Sequence, residues 1–152
     1  MLSPMILMAL AAIAVLTFSS IRRIPEGQVY TLRRVGGHTR VMHSGMHFML
    51  PLLERVAHKI SLTGANVPVD GLVASDQRYR GMVYFQVLDP ERADRVIDNV
   101  DGLLQNRTRS LFADASLPES ADGRRLWLKQ SLNSDMRERG LLVTRVDLNA
   151  IN

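Results

Sequence analysis

His38, His43 and His47 lie within ten residues of one another and form the first grouping in the chain with chemical potential. Neutral imidazole is a common metal ligand. On extended backbone, the even spacing of His43 and His47 puts both rings on one face. A zinc-type site needs further ligands and a second layer of carboxylates to orient the rings. No Asp or Glu lies between residues 27 and 53, and the chain has no His-Glu-x-x-His. These residues therefore read as turn or surface histidines, and no metal is assigned.

Other reactive types lack partners in the same way. The serines sit in no Gly-x-Ser-x-Gly elbow, and the nearest Ser/Lys pairs are Lys59 with Ser61 and Lys129 with Ser131. Neither comes with an oxyanion hole or cleft. Gly36-Gly37 is not followed by the Lys-Ser/Thr of a phosphate loop and reads as a hairpin turn. Asp94, Asp98 and Asp101 have the wrong spacing for a calcium loop and suit a solvated helix start. The absence of cysteine excludes disulfides, thiolate metal sites and a Cys nucleophile. No catalytic residue and no cofactor is expected.

The elements that would position any site begin with an apolar segment. Met1 to Ile21 carries no charged side chain, Pro4 suits a first helical turn, and Arg22 and Arg23 follow directly. A 21-residue helix rises roughly 30 Å, one hydrocarbon thickness. A cleaved signal peptide would instead place basic residues before the run and a small-x-small site after it. The expectation is an uncleaved transmembrane anchor over 1–21 and a folded body over 22–152. Residues 22–63 hold seven Arg/Lys against two acids, and residues 64–152 twelve against thirteen. Basic charge beside a span suits anionic headgroups, so Arg22 and Arg23 are candidate membrane-interface residues. Their position after the span predicts a single-pass protein of the cell membrane, its body cytoplasmic. With aromatics at 5%, the basic residues are not interleaved with stacking platforms, which argues against nucleic acid.

Within the body, Gln28–Val35 and His38–His43 read as strands flanking Gly36-Gly37. His47 to Pro51 is a short apolar run, and Arg55–Leu62 a further strand. Val67–Val73 is extended with a kink at Gly71, and Ser75-Asp76 is a turn. Tyr79, Gly81, Val83, Phe85 and Val87 alternate strictly with polar or larger neighbours and give the clearest strand. Asp89-Pro90 caps a helix whose stripe runs Ala93, Val96, Ile97, Val100, Leu103, Leu104, with Gly102 weakening or splitting it. A second helix spans about Arg124–Arg139 and ends at Gly140. Val146, Leu148 and Ala150 close the chain as a strand. The fold class is α+β, a mostly antiparallel sheet covered by helices. Met46, Phe48, Met49 and Leu50 read as core, or as a membrane-dipping turn that seats the body on the bilayer.

Several phrases in this order resemble the stomatin/prohibitin/flotillin (SPFH, band 7) family, most of all its stomatin-like branch. They are Ile24-Pro-Glu-Gly-Gln28, Arg33-Arg-Val-Gly-Gly37, Ser44-Gly-Met-His-Phe-Met-Leu-Pro51, Ser75-Asp76, Tyr84-Phe-Gln-Val-Leu-Asp-Pro90 with Ala93, and Arg139-Gly-Leu-Leu-Val-Thr-Arg-Val146. The family's usual Trp-Gly before the last strand is Arg139-Gly140 here. The resemblance implies a membrane scaffold without an active site. Such a protein self-associates into a homo-oligomer, organises membrane patches and modulates a membrane-bound AAA protease or a channel. The alternative is a small monomeric adaptor of one membrane complex.

Overall fold

Uniform apolarity winds the N-terminal segment into one helix, α1 (Pro4–Ser20), and the chain turns extended at the next residue. The computed structural model describes residues 4–50, 53–74, 76–114 and 116–151. Residues 1–3 of the expected span, Pro51 at the end of the apolar run and Ser75 of the expected turn lie outside the described residues. The chain forms two compact units, Met1–Lys59 and Ile60–Asn152.

The first unit follows α1 with β1 (Ile21–Ile24), β2 (Gln28–Arg34), β3 (Thr39–Met42), β4 (Gly45–Phe48) and the start of β5 (Glu54–Ser61). β1 pairs antiparallel with β4, placing Ile21 opposite Phe48 and Arg23 opposite Met46. Neither short strand is expected from the sequence: Ile21 falls in the expected span with Arg22 and Arg23 beyond its end, and His47 and Phe48 fall in a short apolar run. The β2–β3 hairpin is as expected, with Tyr30 opposite Met42 and both turn glycines at positive φ (Gly36 +113°, Gly37 +88°). β5 borders β2 on its other side. Thr31, wholly buried, both accepts from the His58 amide (3.1 Å) and donates to the His58 carbonyl (3.4 Å), which satisfies a hydroxyl that would otherwise be costly to bury. The apolar centre is small: Ile24, Leu32, Met42 and Met49, flanked by Tyr30.

The second unit holds the larger core. Its sheet has the order β6 (Ala65–Ala74), β7 (Gln77–Val87), β8 (Leu141–Ile151), all antiparallel. Gly71 (φ +75°) lies where the β6–β7 register shifts between Val69 and Leu72. β7 buries Gly81, Val83, Phe85 and Val87 as its alternation requires. β8 changes phase at a bulge: Leu141 and Val143 point inward before it, Val146 and Leu148 after it. The Asp89 carboxylate caps α2 (Pro90–Ala93), accepting from the Glu91 and Arg92 amides. That helix stops after one turn. Bends and a 3-10 turn at Ile97–Asn99 intervene before α3 (Val100–Phe112). The break therefore precedes Gly102, which sits inside the first turn of α3. α4 (Ala121–Met136) starts earlier than expected, because the Ser120 side chain caps it by accepting from the Gly123 amide. A 3-10 turn, Arg137–Arg139, leads to Gly140 in left-handed conformation.

The expected α+β class with antiparallel pairing is observed, but the strands form three small sheets instead of one. In the second unit both outer strands are tied to helices by side chains. Gln105 and Arg109 of α3 donate to the Pro68 and Asp70 carbonyls of β6. Asn133 of α4 bonds both the amide and the carbonyl of Val143, and Arg125 donates to the Leu148 carbonyl, both on β8. Backbone groups along a sheet edge invite further strands; here four helix side chains occupy several of them.

Candidate membrane-contact site

Apart from Ser20, every described residue of α1 is exposed, although nearly all are apolar. Met5 is 81% and Phe18 84% exposed, and the large apolar side chains lie all around the helix instead of on one stripe. A helix apolar on all sides belongs in a protein core or a membrane. Its few hydroxyls are turned back on the helix. Thr17 donates to the Ile13 carbonyl (2.7 Å), while Ser19 and Ser20 both donate to the Leu16 carbonyl (3.0 and 2.6 Å). This back-bonding removes polar groups from the helix surface without needing water. The 17 residues make about 26 Å of helix. Among the described residues, no helix is long and apolar enough to cross a membrane.

The helix ends because its next residues pair. The Ser20 carbonyl accepts from the Met49 amide (2.8 Å), and β1 then runs along β4. Cross-strand partners share a face, so Ile21, Arg23, Met46 and Phe48 lie together. Ile21, Met46 and Phe48 are 47%, 73% and 57% exposed. Arg22 is also exposed, on the opposite face beside His47. Of the four residues of the expected apolar turn, Met46, Phe48 and Leu50 are exposed, but Met49 is not: it is 7% exposed and packs with Ile24, Leu32 and Met42. The turn therefore presents three apolar side chains, not four. Beside them, Ile13, Leu16, Thr17, Ser20, Phe48, Leu50 and Leu53 line a cleft of about 400 Å³.

The residues considered for catalysis have other partners. His47 Nε2 lies 2.8 Å from the His43 carbonyl, which engages the ring, and His38 is exposed next to the hairpin glycines. Among the described residues no group of His, Asp or Glu is placed to hold a metal ion. Lys59 Nζ sits 5.4 Å from the Tyr30 ring centre, and Ser61 shares a hydrogen bond with Thr63. Lys129 and Ser131 occupy α4 two positions apart, so they do not face each other.

No protein-family model matches the chain. Similarity to individual proteins is distant and partial. The human mitochondrial stomatin-like protein 2 is 26% identical over 103 residues, covering 62% of this chain and 29% of that protein. The Caenorhabditis elegans stomatin-like protein stl-1 is 25% identical over 96 residues, covering 57% of this chain and 30% of its own length. An uncharacterized protein of Schizosaccharomyces pombe is 24% identical over 90 residues, covering 56% of this chain and 25% of its own. The chain thus spans less than a third of the length of these relatives. The similarity suggests a relationship to the SPFH/band 7 group.

Proposed function

We propose that this protein is a membrane-anchored, non-enzymatic scaffold of stomatin-like type. In this reading residues 1–21 are the anchor and residues 22–152 the body, which self-associates and organises or modulates a membrane protein such as a membrane-bound AAA protease. The observation that carries the reading is α1, a helix apolar on every side that packs against almost nothing. Nine large apolar side chains of α1 are exposed. Each gains about 1.5 kcal/mol or more on leaving water, on the order of 10 kcal/mol together. The helix is a few Å shorter than a ~30 Å hydrocarbon layer, a mismatch that local thinning absorbs at fractions of a kcal/mol per Å. Arg22 and Arg23 then lie at headgroup depth, and their side of the helix sets the body in the cytoplasm of a single-pass cell-membrane protein. The similarity to stomatin-like proteins supports the scaffold role.

The test has three parts. The chain should float with vesicles and resist alkaline extraction. Leu10→Arg, near the centre of α1, should weaken its retention, because a central arginine costs about 2.5–3.5 kcal/mol. An alkaline-soluble wild type would refute the anchor. In mild detergent, mass photometry should show one discrete large species. A monomer would favour the adaptor role and refute self-association. The chain has no cysteine, so Ser110→Cys gives a single reporter on the exposed side of α3. Labelling by an impermeant thiol reagent in intact cells would overturn the cytoplasmic placement.

A further inference from the structure

Two clefts of the first unit meet at one residue. The apolar cleft described above includes Leu53 in its wall. So does a second cleft of about 400 Å³, lined by Arg33, Arg34, Val35, Leu53, Arg55 and Ala57. One side of Leu53 is therefore hydrocarbon, the end of α1 with Phe48 and Leu50. The other side carries three guanidinium groups. Leu53 is held there by backbone bonds: its amide donates to the Leu50 carbonyl and its carbonyl accepts from the Val35 amide, both at 3.0 Å.

The polar groups of each cleft are distributed unequally. In the apolar cleft the Thr17 and Ser20 hydroxyls donate to carbonyls of their own helix, so little there asks for water. Beside the basic cleft lies Glu54, 5% exposed, with Oε1 at 3.5 Å from Arg34 Nε and Oε2 accepting from the Leu50 amide. It neutralises Arg34. Among the described residues Arg33 and Arg55 have no carboxylate partner, and both are exposed. Two uncompensated guanidinium groups bind phosphate oxygens well, through short charge-assisted bonds.

We propose that this paired cleft is a binding site for one anionic phospholipid, with an acyl chain along Ile13, Leu16 and Phe48 and the phosphodiester on Arg33 and Arg55. The inference deepens, and rests on, the membrane-anchored reading: the cleft lies where α1 ends, at the depth of headgroups. Charge complementarity selects the occupant. A zwitterionic lipid brings the same phosphodiester but also a cation of its own, which leaves the charge of the two arginines uncompensated, and a soluble phosphate leaves the apolar half empty.

The probe is phosphatidylglycerol. The full chain is reconstituted into nanodiscs of mixed phosphatidylcholine and phosphatidylglycerol, then released and its retained lipid counted by native mass spectrometry. The wild type should keep about one phosphatidylglycerol per chain. The double variant Arg33→Gln/Arg55→Gln should weaken phosphatidylglycerol binding about twenty-fivefold, at roughly a factor of five per arginine near a membrane surface, and so lower the retained count. It should still float with pure phosphatidylcholine vesicles, because α1 is intact. Leu53→Ser should lower occupancy without changing charge. The charge-matched control Arg40→Gln/Lys59→Gln should retain the lipid. Equal loss in that control would reduce the effect to diffuse charge and overturn the site. Binding of soluble glycerol phosphate as tight as that of the lipid would also overturn it, as a phosphate site without a lipid. Failure of the wild type to float with any vesicle would be a different result, refuting the anchor itself. Unchanged far-ultraviolet circular dichroism in each variant keeps a folding defect from passing as lost binding.

Discussion

Gly140→Ala isolates how tightly the start of α2 is built against the start of β8. Gly140 is left-handed (φ +77°, ψ 16°), where a residue with a Cβ costs roughly 1–2 kcal/mol. The added Cβ would also lie 2.4 Å from the Asp89 carbonyl oxygen, 3.0 Å from Arg92 Cβ and 3.1 Å from the Ala93 amide nitrogen. Asp89 cannot simply move away, since the Gly140 carbonyl accepts from the Leu88 and Asp89 amides at 2.9 and 3.1 Å. Relieving the clash stretches those two bonds, each with a net value of about 1 kcal/mol. The sum is about 3–4 kcal/mol. Gly71 supplies the comparison: it lies in the same unit at φ +75°, but nothing is within 4 Å of its Cβ position. Gly71→Ala should cost the conformational part alone, about 1–2 kcal/mol. Thermal unfolding followed by circular dichroism should therefore show a drop in Tm for Gly140→Ala about twice that for Gly71→Ala. At ~4–8 °C per kcal/mol for a unit of this size, the difference is easily read. Equal losses would refute the crowding argument.

The other predictions concern single contacts. Asn133→Leu leaves the Val143 amide and carbonyl without their α4 partner and should cost at least about 2 kcal/mol in urea unfolding, at 1–3 kcal/mol for each of the two unsatisfied buried groups. Gly102 sits in the first turn of α3 with open space at its Cβ position. Gly102→Ala should therefore raise stability by about 0.5–1 kcal/mol, checked in the same assay. The Asp147 carboxylate is held below its usual range first by the Arg145 hydrogen bond and further by charge attraction to Arg145 and Arg125. A depressed carboxylate stabilises the fold above its unfolded value near ~4 and loses that contribution as pH falls through its folded value. Asp147→Asn should accordingly flatten the acid limb of a stability–pH curve below about pH 4, and leave its neutral limb parallel to wild type.

What the sequence makes legible is whatever one element determines by itself. The alternation of β7, the Asp89-Pro90 cap, the glycine hairpin and the left-handed Gly140 each follow from residues within one turn or strand, and the structure has them. The break after Ala93 was not legible, because a 3-10 turn also returns a side chain to the same side every three residues. Ala93, Val96, Ile97 and Val100 therefore keep one apolar stripe whether or not the helix continues. β8 hides its bulge similarly: one extra residue swaps the faces, so Leu141 and Val143 read as out of phase with Val146 and Leu148 although all four are buried.

The same distinction governs the candidate membrane-contact site. That α1 is apolar throughout is visible in composition. Where it stops is not, because Arg22 and Arg23 are only two and three residues past the end and both a long span and a short one fit before them. The end is set by pairing: Ile21 to Ile24 align with Phe48 to Gly45, 21 to 27 residues away in the chain. That alignment also decides which of Met46, Phe48, Met49 and Leu50 face outward. The strand puts Met46 and Phe48 on one face, and the same alternation puts Met49, whose amide is bound to the Ser20 carbonyl, on the other, facing inward. The length of the apolar helix and the composition of the surface beside it are thus fixed by one two-stranded ribbon. Lengthening α1 by replacing Ile21 to Ile24 with leucine would remove the ribbon and, with it, the wall that Phe48 gives the apolar cleft.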